Sequence, residues 1–137
     1  MKAIIPRFDK SYCPEGYMRV QSGEMEGMLF KPSFFTLESE DRDRICNGIG
    51  AATGLTKHFP NTIWGLDIKI AGDCHDYDYY VGGSKHDKEI ADKVFLHNMR
   101  VLIRKGCWLL RIPRNSRANK YYLAVAVGGS KHFSYHD

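Results

Sequence analysis

One stretch constrains this chain more than any other: Ile68-Lys-Ile-Ala-Gly-Asp-Cys-His-Asp-Tyr-Asp-Tyr-Tyr-Val81. Wound as an α-helix at about 100° per residue, it separates into three stripes. Ile68, Ala71, Gly72, His75 and Tyr79 share one face, and Ile70, Cys74, Tyr77 and Val81 form a second. Lys69, Asp73, Asp76 and Tyr80 are left for water or a cation. A helix with two largely apolar faces belongs at the centre of its domain. This one also carries an imidazole on a packed face with a carboxylate beside it.

The neighbouring sequence supplies its boundaries. Asp67 reads as an N-cap, and Gly82-Gly83 as a stop. Ser84, with Asp87 three residues on, reads as a capping box that opens a second helix. That helix runs to about Lys105, with Gly106 beyond it and a core stripe of Ala91, Val94, Phe95, Asn98, Met99 and Leu102. Cys107-Trp-Leu-Leu-Arg-Ile112 reads as a strand or an extended connector. Pro113 then fits the first turn of a third helix whose stripe is Ala118, Tyr121, Tyr122 and Val125. Val81-Gly-Gly-Ser-Lys-His86 returns as Val127-Gly-Gly-Ser-Lys-His132, an echo that shared C-cap chemistry explains.

Upstream, Tyr17–Gln21 and Gly27–Lys31 suggest a short β-hairpin, and Glu38–Arg44 a short helix capped near Thr36 or Ser39. The expected architecture is mainly α. An antiparallel helix pair carries the His-Asp site and a third helix joins it. The whole is a single domain over residues 1–137, with an irregular or hairpin arm over 1–35 and a helical body over 36–137. At 137 residues the chain can bury a core without metal or disulfide staples. Cys13, Cys46, Cys74 and Cys107 include no CxxC pair, so free thiols are favoured over a zinc knuckle or a disulfide framework.

No apolar run is long enough to span a bilayer, and the N-terminus lacks a signal-peptide core, so cytoplasmic synthesis is the expectation, with phage association or later release left open. Charge is split along the chain. Residues 1–92 carry 11 basic and 15 acidic side chains, net −4, whereas residues 93–137 carry nine basic and one acidic, net +8. Such a split suits an anionic surface, lipid or nucleic acid. No nucleic-acid motif accompanies it, so lipid is preferred. Trp108, Leu109, Arg111 and Arg114 are the candidate membrane-interface residues. A core role for Trp108–Leu110, with the charges merely solvated, competes with that reading.

In an antiparallel pair closed at Gly83-Ser84, His75 and Asp92 are equidistant from the turn and so face one another. Asp92 lies beside Phe95 and Met99, where a carboxylate needs a partner, and Tyr79 is one turn after His75. A carboxylate that holds an imidazole tautomer suits a histidine general base. Asp76 points elsewhere. Together with backbone carbonyls from the glycine-rich Cys46-Asn47-Gly48-Ile49-Gly50 loop it could hold a hard cation, which would polarise a carbonyl.

Gly48-x-Gly50 ahead of a helix bearing His75-Asp76-x-x-Tyr79, followed by Ala91-Asp92, resembles the phospholipase A2 superfamily in its short bacterial, phage and parvoviral form. The resemblance covers residues 46–99. It implies His75 as the base that activates water, Asp92 and Tyr79 as its orienting partners, and the Gly48 amide at the oxyanion. It implies Ca²⁺ held by Asp76 and the carbonyls of Cys46, Gly48 and Gly50, with a glycerophospholipid as substrate. Where the family places a cysteine three residues before the histidine, this chain has Gly72, and carries Cys74 instead. Two alternatives remain. One is an inactive scaffold or binding protein of the same fold. The other is an HD-type metal phosphohydrolase using His58 as an upstream ligand.

Overall fold

The computed structural model describes residues 4–46 and 61–136. The chain is mostly helical, with two small antiparallel hairpins. Strands β1 (Met18–Arg19) and β2 (Leu29–Phe30) pair first, with Met18 opposite Phe30. Helix α1 (Ser39–Ile45) follows, then β3 (Thr62–Ile63) and β4 (Leu66–Asp67). Helices α2 (Lys69–Val81), α3 (Lys85–Lys105) and α4 (Arg111–Gly128) complete the body.

The helix boundaries follow local chemistry. Ser84 and Asp87 close the expected capping box on α3, each satisfying the other's backbone N–H. Asp67 accepts from the Lys69 amide at 2.8 Å, although the cap position itself is Ile68, one residue later than expected. Gly82 ends α2 at φ 69°, a conformation that L side chains rarely adopt. A Cβ there would lie 1.8 Å from the Ser134 carbonyl oxygen, so glycine is required on both counts.

That close approach explains the repeated hexapeptide differently from shared capping. The second copy continues from α4 into a 3₁₀ turn, Gly129–Lys131. The tail then returns to the first copy, where Gly83 N donates to Ser134 O and His136 N donates to Gly83 O. The two copies use their glycines for different purposes: Gly82 admits the Ser134 carbonyl, and Gly129 admits the Tyr79 hydroxyl.

Two further expectations change. Cys107–Ile112 is neither strand nor extended connector: Trp108–Leu110 is a 3₁₀ turn leading directly into α4. The N-terminal segment is more than an arm laid on the body. Met28, Leu29 and Phe30 are fully buried and share one core with Ile68, Ala71, Val94, Phe95 and Ala118.

Asn98 is what fastens them. From the buried face of α3 its side-chain carbonyl accepts from Leu29 N at 2.8 Å and its amide donates to Leu29 O at 2.9 Å. The side chain thereby completes the peptide of a strand that has one neighbour among the described residues. A second tie joins Tyr17 to the buried Asp78 of α2 at 2.8 Å. Asn98→Ala leaves Leu29 N buried without its partner and Leu29 O with only the long Cys74 thiol contact at 3.5 Å, so the urea midpoint should fall by the equivalent of about 1–3 kcal/mol.

Candidate functional site

Helices α2 and α3 are joined by three residues and pack side by side. Tyr79 and His75 of α2 both reach Asp92 of α3, while Cys74, further from the turn, reaches Asn98. Contacts that move away from the turn together on both helices are those of an antiparallel pair. His75 Nε2 lies 2.9 Å from Asp92 Oδ1, and the Tyr79 hydroxyl donates to the same oxygen at 2.6 Å. His75 is 7% exposed and Asp92 2%.

A fourth member, Lys88, was not among the expected site residues. Lys88, one turn before Asp92 on α3, donates to its other oxygen at 2.7 Å and to Val125 O at 3.0 Å. The i, i+4 spacing was the available signal. Only tertiary burial, with Lys88 at 4% exposure, makes the pair part of the site.

Burial pushes the Asp92 carboxyl up. The bonds and charge of His75, together with Lys88 and Tyr79, outweigh it, so the net shift is downward. An ionised carboxylate only accepts, so Nε2 of His75 donates to it and Nδ1 is the ring atom left for other chemistry. Nδ1 has no hydrogen-bond partner among the described residues. Phe95 stacks on the imidazole at 4.6 Å between centroids and Tyr79 lies 4.2 Å away, fixing the ring plane. Phe133 packs edge-on against Tyr79 from the tail. A Cβ on Gly129 would stand 2.4 Å from the Tyr79 hydroxyl, so the tail is fitted closely to this tyrosine. Chemically, the arrangement is an imidazole oriented by a buried carboxylate.

The other polar stripe of α2 differs from expectation. Asp73 is buried, not left for water, and pairs with Lys69 at 2.9 Å and Arg42 at 3.6 Å. Asp76 has one buried oxygen without a hydrogen-bond partner among the described residues. Burial, with Asp73 adding repulsion, pushes its carboxyl up to about 8. A buried oxygen lacking a proton donor fits a cation ligand. Among the described residues no group of three His, Cys, Asp or Glu is placed to hold a metal. A calcium site built from one carboxylate and carbonyls does not require such a group.

Cys46 ends α1, with its thiol donating to Asp73 O at 3.3 Å, which brings the start of the glycine loop against α2. Gly48 and Gly50, and with them the proposed oxyanion and carbonyl ligands, lie outside the described residues, as does His58. All four cysteines are free thiols.

Of the membrane-interface candidates, Trp108 (71% exposed), Leu109 and Arg111 are exposed, and Ile112 joins them. The exposure of Trp108 and Leu109 removes the core role considered for them. Arg114 is a correction. It is buried, and its guanidinium donates to Trp64 O at 2.8 Å. Trp64 occupies the β3–β4 turn, where it and Gly65 both take positive φ. Arg114 is thus a strut between that turn and α4, which no spacing rule distinguishes from a surface arginine.

Asp92→Asn should destabilise the chain by about 3–5 kcal/mol, because it leaves the Lys88 ammonium buried and uncompensated. The sign with pH follows from the lowered folded value. The Asp92 contribution is complete above the ordinary carboxylate value of 3.8 and is lost as pH falls through the folded value. Acid titration of stability by circular dichroism should show a shallower slope below that pH in Asp92→Asn than in wild type. No protein-family model, curated protein or solved structure matches this chain.

Proposed function

We propose that the chain is a phospholipase A2-like esterase, hydrolysing a glycerophospholipid ester by histidine-activated water with calcium bound nearby. The observation that carries this reading is the buried His75 Nε2 to Asp92 Oδ1 bond, with Tyr79 on the same oxygen. Nδ1 of His75 would take a proton from water as that water attacks the ester carbonyl. Asp92 would stabilise the imidazolium, which then returns the proton to the departing alkoxide. Asp76 would hold calcium with the carbonyl of Cys46 and, by resemblance, those of Gly48 and Gly50, the Gly48 amide serving the oxyanion. When bound, calcium would polarise the ester carbonyl.

Contact with aggregated lipid would be made by Trp108, Leu109 and Ile112, with Arg111 beside them, on an anionic membrane surface. Arg114 plays no part in that contact, being committed to Trp64. A catalytically inactive scaffold is the second reading. One observation favours it: Lys88 gives Asp92 a buried counter-ion, so the network is satisfied without substrate.

Wild type should release fatty acid from phospholipid vesicles in a calcium-dependent manner, and His75→Ala should cut the rate by about 10²–10⁴-fold while retaining the far-UV circular dichroism spectrum of the folded chain. Loss of calcium dependence in Asp76→Asn is expected too, with wild-type affinity on the order of 10⁻⁴–10⁻³ M by calorimetry. Wild type inert on every phospholipid headgroup would leave the scaffold reading. In sedimentation, anionic vesicles should retain the protein, neutral ones should not, and added salt should release it. Equal retention on both would remove electrostatic docking and leave the catalytic reading intact.

A further inference from the structure

Away from His75, the N-terminal run, the β1–β2 hairpin, α3 and α4 (through Asn115) line a half-open cavity of about 790 Å³. The N-terminal run contributes Arg7 and Lys10, β1 contributes Arg19, and α3 contributes Arg100 and Arg104. The only carboxylate on its wall, Asp9, is engaged locally by the Ser11 amide at 2.8 Å and hydroxyl at 2.6 Å. None of the five cations forms an ion pair among the described residues.

Two of the arginines are held in place by neutral acceptors. Arg100 donates to Pro6 O at 2.7 Å and to Asn119 Oδ1 at 3.1 Å, and its guanidinium lies over the Phe8 ring. Arg19 donates to Tyr12 O. Burial, then the nearby charges of Arg104 and Arg7, push the Arg100 guanidinium down from its ordinary value. Gathering like charges in a concave site costs folding energy that a solvated basic face avoids, since on an open surface the side chains splay apart. Fixed guanidinium forks around a hollow of ligand size are the arrangement that binds phosphate oxygens in pairs.

We propose that this cavity binds a small ligand carrying two or more phosphate groups, free in solution or as the headgroup of a phosphoinositide lipid. A single phosphate brings only about two negative charges, too few to balance five cations against one carboxylate. The site stands apart from the His75 network and its function is independent of esterase activity.

Titration calorimetry of the full chain with tripolyphosphate should show one site. Arg104→Gln and Lys10→Gln, two exposed side chains with no structural bond among the described residues, should each weaken binding about tenfold, as expected for loss of one charge-assisted contact. Lys120→Gln, exposed on α4 and outside the cavity, and His75→Ala should leave it unchanged, so this proposal and the esterase reading fail separately. Orthophosphate should bind at least about tenfold more weakly than tripolyphosphate. Phosphatidylcholine vesicles with and without phosphatidylinositol bisphosphate identify the source. Retention that tripolyphosphate displaces supports a lipid headgroup, and tripolyphosphate binding without retention supports a soluble polyphosphate. Absence of tripolyphosphate binding, binding that neither cavity substitution alters, or equal affinity for orthophosphate overturns the proposal.

Discussion

The Asp92 carboxylate is the charge around which this structure is arranged. A buried carboxylate is tolerable only when its oxygens are saturated with donors, and here three side chains from two helices converge on it. His75 and Tyr79 reach it from α2, and Lys88 from its own helix. Lys88 then extends the network to the Val125 and Ala126 carbonyls of α4. One anion therefore holds together the three long helices, and each partner's geometry depends on the others.

That dependence reaches the tail. Tyr79 can serve Asp92 only if nothing displaces its ring, and Gly129 and Phe133 define the space it occupies. The tail keeps its place because Ser134 and His136 hydrogen-bond Gly83. The same residues that end α2 thus anchor the segment that packs over its tyrosine. Further along α3, Asn98 performs a comparable task without charge, closing strand β2 onto the helix. Asp92 and Asn98 are thus two buried polar side chains of α3 that tie other segments to it.

The basic character of the C-terminal third divides into parts with different physical meanings. Arg114 is consumed inside the fold as a strut, and Arg111 stands exposed next to Trp108 and Leu109. Arg100 and Arg104 turn toward Arg7, Lys10 and Arg19 from the acidic portion of the chain. Net charge along a sequence cannot separate these cases, because it carries no information about which cations face each other.

The amino-acid sequence by itself determined the helices, since hydrophobic spacing and caps are local: the Ser84–Asp87 box, the Gly82 stop and the Ala118–Val125 stripe are each set within a few residues. It also placed Asp92 opposite His75, because a tight helical hairpin leaves little choice of register. Tertiary structure alone decided what those helices bury. Asp73, judged solvent-facing by its stripe, is buried and pairs with Arg42 of α1, which comes from a distant position in the chain. Lys88, an ordinary i, i+4 partner on an isolated helix, becomes a buried counter-ion only because α4 closes over it. The anion-attracting cavity likewise exists only where segments far apart in sequence meet. Long-range convergence has no period and no local motif, which is why spacing could not reveal it.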